Sequence, residues 1–303
     1  MRKTKHRIII ALLALLLLLA LTLFLQPASV QAAKKGKLLK KGKTYKVDIN
    51  GGKKEKVRYT TRTVGEYGEE FQLYVNKKLA FSYVLPSNGN VSNVYLADIK
   101  KSDKYKEIIV NFNGDFSDWY FFVLRYGKNK EVTAFVDQDT SGALTSGRMS
   151  VPGNKKVFSG KGKFYAIVET PFYSNTFGCY YIKAPVKLSG GKIKFVKSGS
   201  YTLTNVTDYT PGLFGEKYYI TAKSMKLYSK ASLDASYKER AAGLRFTPKK
   251  IKIAGTQKNS EGNYDWERYH LFVQVKTKDG KTGWLYFPAD STEKYLTIVP
   301  QWG

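Results

Sequence analysis

A loop near the start of the chain has the side chains that gather calcium. Asp48 and Asn50 stand at alternate positions, Gly51 and Gly52 allow a turn, and Glu55 supplies a later carboxylate. Alternating oxygen donors before glycine are how short loops surround a calcium ion, although Gly52 stands where a third acidic ligand is expected. The chemistry that this spacing offers is cation binding, and an ion held there would stiffen the loop.

Two further loops vary this pattern. In the second, around Asp98, Lys100 and Lys101 occupy the ligand positions, and an ammonium group repels a divalent cation and has no lone pair. We therefore expect no calcium there. The third loop is the best candidate for a structural calcium ion, the one cofactor that we consider. Its ligands would be Asp137, Asp139 and Ser141. Arg148 replaces the bidentate Glu of an EF-hand loop, so the alternative is a solvated turn.

Paired carboxylates are the one pattern that would serve an enzyme. Asp115 with Asp118, and Glu261 with Asp265, have spacings compatible with a glycosidase that uses two carboxyl groups. All four lie in polar turn sequences, where carboxylates are ordinary. A secreted hydrolase is therefore an alternative, and we expect no catalytic residue.

Other catalytic chemistry has little support. His270 is the one histidine beyond His6, so a multi-histidine zinc site is excluded, and neither a Gly-x-Ser-x-Gly nor a Ser-x-x-Lys motif occurs. Cys179 is the only cysteine and cannot form an internal disulfide. It lies in an apolar run, where we expect a small buried side chain.

The elements that would position these loops are β-strands. Short runs rich in Val, Ile, Tyr, Phe and Thr alternate with clusters of Gly, Asn, Lys and Ser, and helical periodicity is nearly absent after residue 33. Hairpin turns are predicted at 76–78, 127–130 and 189–192. The loops at Asp48 and Asp98 lie 50 residues apart, a period typical of stacked β units or propeller blades. One short helix is predicted between Leu233 and Leu244, ended by Gly243.

With this period, residues 44–200 resemble the FG-GAP and VCBS repeats of integrin-like β-propellers and bacterial surface proteins, whose loops read Asp-x-Asn/Asp-x-Asp-Gly. The resemblance implies blade-like sheets and structural calcium.

The C-terminal segment resembles the bacterial Src-homology-3-like barrel, since its final hairpin reads Asp279-Gly280-x-x-Gly283-Trp284. That family implies aromatic contacts to wall peptide. The candidates for those contacts are Tyr228, Trp266, Trp284 and Tyr286, and the alternative is that some of them are core residues.

The N-terminus has the order of a secretory signal peptide. Basic residues precede an apolar run from Ile8 to Leu25, and small residues lead to a cleavage site after Ala32. The alternative is a retained membrane anchor, because the run approaches spanning length. We expect a cleaved signal, a secreted or wall-associated protein, and no membrane span in the mature chain.

The charge predicts a polyanionic partner. The full chain carries a net charge of +27, and loss of residues 1–32 leaves +23 because that segment has four basic and no acidic residues. Residues 34–58 alone hold eleven Lys or Arg. Outside the cell, such a chain would meet an anionic wall polymer rather than nucleic acid. The alternative is surface charge that serves only solubility.

Together these features predict an all-β protein in several parts. The parts are a signal peptide (1–32), a blade-like repeat domain with a basic N-terminal segment (33–205), a linker (206–215) and a small barrel (216–303). The predicted role is non-enzymatic binding at the cell wall, to peptide or to anionic polymer. The alternatives are the hydrolase described above and a module that docks another surface protein.

Overall fold

Strands separated by turns make up the chain wherever it is described. The computed structural model describes residues 36–66, 68–85, 89–114, 119–135, 138–139, 148–152, 157–204, 218–257 and 268–299, with only the backbone at 138–139 and 256–257. The predicted signal peptide and linker lie outside these ranges. Within them, the only helical segment is a 3-10 turn, Lys101–Asp103. No helix of the described residues is long and apolar enough to cross a membrane.

The first nine strands form two antiparallel sheets. Their bounds are β1 (Lys37–Leu39), β2 (Tyr45–Val47), β3 (Glu55–Val64), β4 (Gly68–Val75), β5 (Lys78–Val84), β6 (Asn90–Ala97), β7 (Glu107–Asn113), β8 (Trp119–Tyr126) and β9 (Val132–Phe135). The first sheet has the order β2-β3-β4-β5, and the middle sheet has the order β1-β6-β7-β8-β9.

The remaining strands belong to a third, larger sheet. They are β10 (Gln138–Asp139), β11 (Met149–Ser150), β12 (Lys163–Glu169), β13 (Tyr181–Ser189), β14 (Lys192–Phe195), β15 (Tyr201–Leu203), β16 (Tyr219–Ile220), β17 (Met225–Tyr228), β18 (Tyr237–Arg240), β19 (Arg245–Gln257), β20 (Arg268–Thr277) and β21 (Thr282–Phe287). The main path runs β10-β14-β13-β15-β19-β20-β21-β17-β18, with β12 beside β13, β11 beside β12 and β16 beside β19.

The central strands of the middle sheet are buried on both faces. Residues 107–112 of β7 are all buried, which is typical of a strand between two packed layers rather than of a strand with one face in water. Ile108 and Val110 pack in one core with Phe71 of the first sheet. Ile109 lies in the other core with Phe164 of the third sheet. Because successive side chains of β7 point to opposite faces, this strand packs against the first sheet on one side and the third sheet on the other.

Turns predicted from local chemistry are confirmed. Asn76 and Lys77 both have positive φ, 51° and 70°, and close the β4–β5 hairpin with Val75 opposite Lys78, as a two-residue turn requires. Ser189 pairs with Lys192 across the β13–β14 turn. The predicted helix near Leu233–Leu244 is wrong, because Tyr237–Arg240 pairs with β17 as a strand.

The all-β class is confirmed, whereas the small barrel expected for 216–303 is not seen as a closed sheet. In the described part of the chain the strand order is open at β18. At the other end β19 pairs with β15, so the sheet continues into residues before the predicted linker instead of closing on itself. Lys34–Gly303 accordingly form one compact unit.

Candidate functional site

Three of the four predicted ligand-binding residues lie together on the third sheet. Tyr228 is on β17, opposite Trp284 of β21, and Tyr286 follows two residues later on the same strand. Trp266 lies outside the described residues. Two positions apart on a strand means the same face, so Trp284 and Tyr286 point the same way.

The alternation of β21 explains that arrangement. Gly283, Leu285 and Phe287 are buried, whereas Trp284 and Tyr286 between them are half-buried. Gly283 is required by close packing, because a Cβ there would lie 2.6 Å from Leu227 Cγ. The glycine of the Asp-Gly-x-x-Gly-Trp hairpin thus lets β21 approach β17 closely.

Sequence reasoning missed three members of this cluster. Tyr237 lies 5.6 Å from Tyr228 between ring centroids, and Phe272 lies 5.8 Å from Tyr228 and 5.3 Å from Tyr286. His270 stacks on Tyr286 at 6.0 Å. We call the set Tyr228, Tyr237, His270, Phe272, Trp284 and Tyr286 the aromatic face. The alternation of side chains along HLFVQV (270–275) could have placed His270 and Phe272 on one side of β20. Tyr237 lies within the wrongly predicted helix, so no strand pattern indicated it.

The exposed fraction of each ring decides what it can do. Tyr237 is 47% exposed, whereas Tyr228 is 7% and Phe272 is 3% exposed. Tyr228 and Phe272 are therefore packing residues that support the other rings of the aromatic face. For Tyr228 this agrees with the alternative that some of the candidates are core residues. Tyr237, Trp284 and Tyr286 are the members with surface available for contact with a ligand.

His270 is fixed by two hydrogen bonds. Its Nδ1 accepts a hydrogen bond from the Ala289 N–H at 3.1 Å, which makes this nitrogen an acceptor, and the Tyr286 hydroxyl lies 2.9 Å from the same atom. A tyrosine hydroxyl is protonated at neutral pH, and burial raises the pKa of Tyr286 further. The imidazole thus orients Tyr286, and its Nδ1 is already occupied.

A cavity of about 360 Å³ opens beside Tyr228 and Tyr237. Its lining is rich in hydroxyl groups and cations: Leu227, Tyr228, Ser229, Ser236, Tyr237, Lys238, Arg240, Lys281 and Thr282. Arg240 Nη2 lies 3.8 Å from Asp279 Oδ2, too far for a hydrogen bond, and Arg240 Nε has no acceptor in the described residues. The Lys226 ammonium lies 4.2 Å over the Tyr237 ring. The aromatic face therefore has a cationic rim.

The first repeated loop is held by its own backbone. Asp48 Oδ1 accepts hydrogen bonds from the N–H groups of Asn50, Gly51 and Gly52, at 3.2, 2.8 and 3.1 Å. That oxygen stabilises the turn directly, in the manner of an Asx-turn. No cluster of three potential metal ligands occurs in the described residues. Asp137, Ser141 and the Asp139 side chain lie outside them, so the calcium prediction stays a prediction.

The loops at Asp48 and Asp98 contact each other, and the loop at 157–162 contacts the second of them. The Lys106 N–H donates to the Ile49 carbonyl at 3.0 Å, and the Gly162 N–H donates to the Ile99 carbonyl at 2.9 Å. Gly51 has φ +76°, and a Cβ there would lie 2.7 Å from Lys104 Cβ. The glycine of the first loop thus permits the second loop to pack against it.

The remaining candidates give no catalytic centre in the described residues. The pairs Asp115 with Asp118 and Glu261 with Asp265 lie outside them. Cys179 is 2% exposed, and burial raises the pKa of its thiol to about 11. A protonated, buried thiol is a poor nucleophile, and the prediction of a small buried side chain is confirmed.

Comparisons with protein-family models, curated proteins and solved structures found no match to this chain.

Proposed function

We propose that this protein is a secreted, non-enzymatic binding protein of the cell wall. The observation that carries the proposal is the aromatic face with its cationic rim. Tyr and Trp are common anchors at binding surfaces because they combine apolar area with a polar tip and lose little entropy when held. Wall peptides present amide groups and carboxylates, and these match hydroxyl donors and cations.

The exposed members of the aromatic face would contact the peptide, and the cavity beside Tyr237 would receive a carboxylate. Trp284 and Tyr286 are half-buried, with their backbones fixed in the centre of a sheet. A rigid sheet presents side chains with little reorganisation, so affinity is not lost to ordering of the binding surface. The net charge of +23 that remains after loss of residues 1–32 would add salt-sensitive attraction to anionic polymer.

The test is retention of the full chain on purified cell walls at about physiological salt, where weak surface attraction is screened. Tyr237→Ala and Trp284→Ala should each lower retention, because they remove anchor area. Trp119→Ala is the matched control, since Trp119 is also half-buried but stacks on Tyr181 at 5.8 Å, away from the aromatic face. Equal retention of all three variants would refute the role of the aromatic face.

A further inference from the structure

A second cavity lies on the outer face of the first sheet, far along the chain from the aromatic face. Its volume is about 490 Å³, and its lining is Thr44, Lys56, Arg58, Tyr74 and Lys77. Alternation places Lys56, Arg58 and Tyr74 opposite the core, because Val57 and Val75 on the same strands are buried toward the middle sheet. Thr44 and Lys77 lie just outside the strands. Three of the five lining residues are cations, and none is acidic.

The register concentrates positive charge at this end of the sheet. Lys46 of β2 is directly opposite Lys56 of β3, an arrangement that destabilises a sheet. In the described part of the chain, no carboxylate lies within ion-pair distance of Lys46, Lys56, Arg58 or Lys77. An anion bound between these side chains would relieve the repulsion.

Glu70, an acidic residue of this face, is paired with a cation at the other end of β3 and β4. Arg62 forms an ion pair with Glu70. Gln72 Nε2 donates to Glu70 Oε2 at 2.9 Å, and the Tyr74 hydroxyl donates to Gln72 Oε1 at 3.1 Å. This chain of hydrogen bonds fixes the Tyr74 ring and leaves the Arg58 end of the face cationic.

Arg58 is held in place by that ring. Its Cζ lies 4.9 Å from the Tyr74 centroid, in cation–π geometry. A guanidinium stacked on a fixed ring presents its N–H donors in one plane, which suits the paired oxygens of a phosphate. Lys56 and Lys77 add point charges on either side.

We propose that this cavity binds the phosphate groups of a phosphodiester-linked anionic wall polymer. The inference rests on the proposed wall association and names a second ligand for it, distinct from the peptide of the aromatic face. Single-stranded nucleic acid fits less well, because binding without base readout uses several open ring faces for stacking. Here the cavity offers one ring, and Arg58 covers one of its faces.

The experiment measures binding of the full chain to a synthetic glycerol-phosphate oligomer in solution, across a series of salt concentrations. Arg58→Gln should lower the affinity about tenfold and reduce the slope of log affinity against log salt by about one, because one phosphate contact is lost. Arg245→Gln is the matched control, since Arg245 is also a strand arginine outside the cavity lining and its replacement changes the charge equally. Lys56→Gln repeats the test at an exposed side chain, where misfolding is not expected.

Competing ligands decide the chemistry of the site. We expect poly-glutamate and single-stranded DNA of equal charge to bind more weakly than the oligomer and to lose little affinity with Arg58→Gln. Tighter binding of either, or equal losses for Arg58→Gln and Arg245→Gln, would overturn the inference. The oligomer assay contains no cell wall, so a negative result there would not affect the prediction that Trp284 contributes to wall retention. Conversely, a negative result in the retention assay would not affect the prediction of oligomer binding.

Discussion

Glu107 and Arg125 form an ion pair between adjacent strands of the middle sheet. Arg125 Nη2 and Nε lie 2.6 and 3.0 Å from Glu107 Oε1. Glu107 is fully buried, and its Oε2 accepts a hydrogen bond from the Ile99 N–H at 3.2 Å. Burial raises the pKa of Glu107, while Arg125 opposes that rise. The pair thereby connects the second repeated loop to the sheet.

Arg125→Met should therefore destabilise the protein severely. The substitution keeps much of the volume but leaves a buried carboxyl without its charge partner, which costs about 3–5 kcal/mol of unfolding free energy. The measurement is chemical denaturation at neutral pH. The loss should shrink as the pH is lowered, because a carboxyl with a raised pKa folds more favourably when protonated.

The control for that prediction is Lys223→Met. Lys223 pairs with Glu293 at the surface, where ion pairs contribute little. Similar small losses for the two variants would contradict a stabilising role for the buried pair.

Local signals predict the strands, the hairpin turns and the repeated loops. Glu55 and Glu107 show why the repeat is visible in the sequence: each follows its loop, and each accepts a hydrogen bond from a loop amide, from Ile49 at 3.3 Å and from Ile99 at 3.2 Å. Equivalent positions that make equivalent contacts require similar residues. The two glutamates therefore make the same contact, whereas the repeat architecture itself stays a prediction.

Long-range pairings are not predictable in this way. Asn111 illustrates the reason: its side chain exchanges two hydrogen bonds with the Val151 backbone, at 2.8 and 3.0 Å, 40 residues along the chain. An Asn within a mainly apolar strand gives no indication of its partner. The aromatic face is also formed from β17, β18, β20 and β21, so its membership depends on strand order, which residue types do not specify.

Asp290 should make stability sensitive to acid. Asn175 Nδ2 donates to its Oδ1 at 2.8 Å, and Arg268 pairs with its other oxygen. These partners hold the pKa of Asp290 below its usual range. A lowered pKa stabilises the folded state above the unfolded value of about 3.9, and this stabilisation is lost as the pH falls through the folded pKa.

The test of that linkage is Asp290→Asn. The variant should be less stable than the parent at pH 7 and should lose less stability below about pH 4, measured by denaturation across pH. Asp234→Asn is the comparison, because Asp234 is exposed and has no ion-pair partner in the described residues. If the stabilities of the parent and of Asp290→Asn fell equally as the pH was lowered, this contribution of Asp290 would be excluded.

Gly283→Ala should displace the β17 residues of the aromatic face. The new Cβ would lie 2.6 Å from Leu227 Cγ and 3.0 Å from the Tyr228 carbonyl oxygen, so β17 must shift away from β21. Overpacking of this kind costs about 1–3 kcal/mol. Gly199→Ala should be nearly neutral, because a Cβ at that position would meet no atom within 4 Å. Thermal unfolding and wall retention should fall together for Gly283→Ala only.

Lys77→Gly separates stability from phosphate binding. Lys77 has φ +70° in the β4–β5 turn, a conformation that glycine adopts without the steric penalty of a side chain. The substitution should raise the free energy of unfolding by about 0.5–1 kcal/mol. It also removes one of the three cations of the cavity, so affinity for the glycerol-phosphate oligomer should fall although the fold is stabilised.

Lys130→Gly provides the matched control for this prediction. Lys130 has φ +66° in the turn between β8 and β9, outside the cavity lining, so the same replacement should stabilise the chain and leave oligomer binding unchanged. Urea denaturation and oligomer titration on the two variants give four values. Loss of affinity in both variants would indicate a response to net charge alone, and loss in neither would remove Lys77 from the site. Loss in Lys77→Gly alone, in a more stable protein, would attribute the phosphate contact to this side chain rather than to a damaged fold.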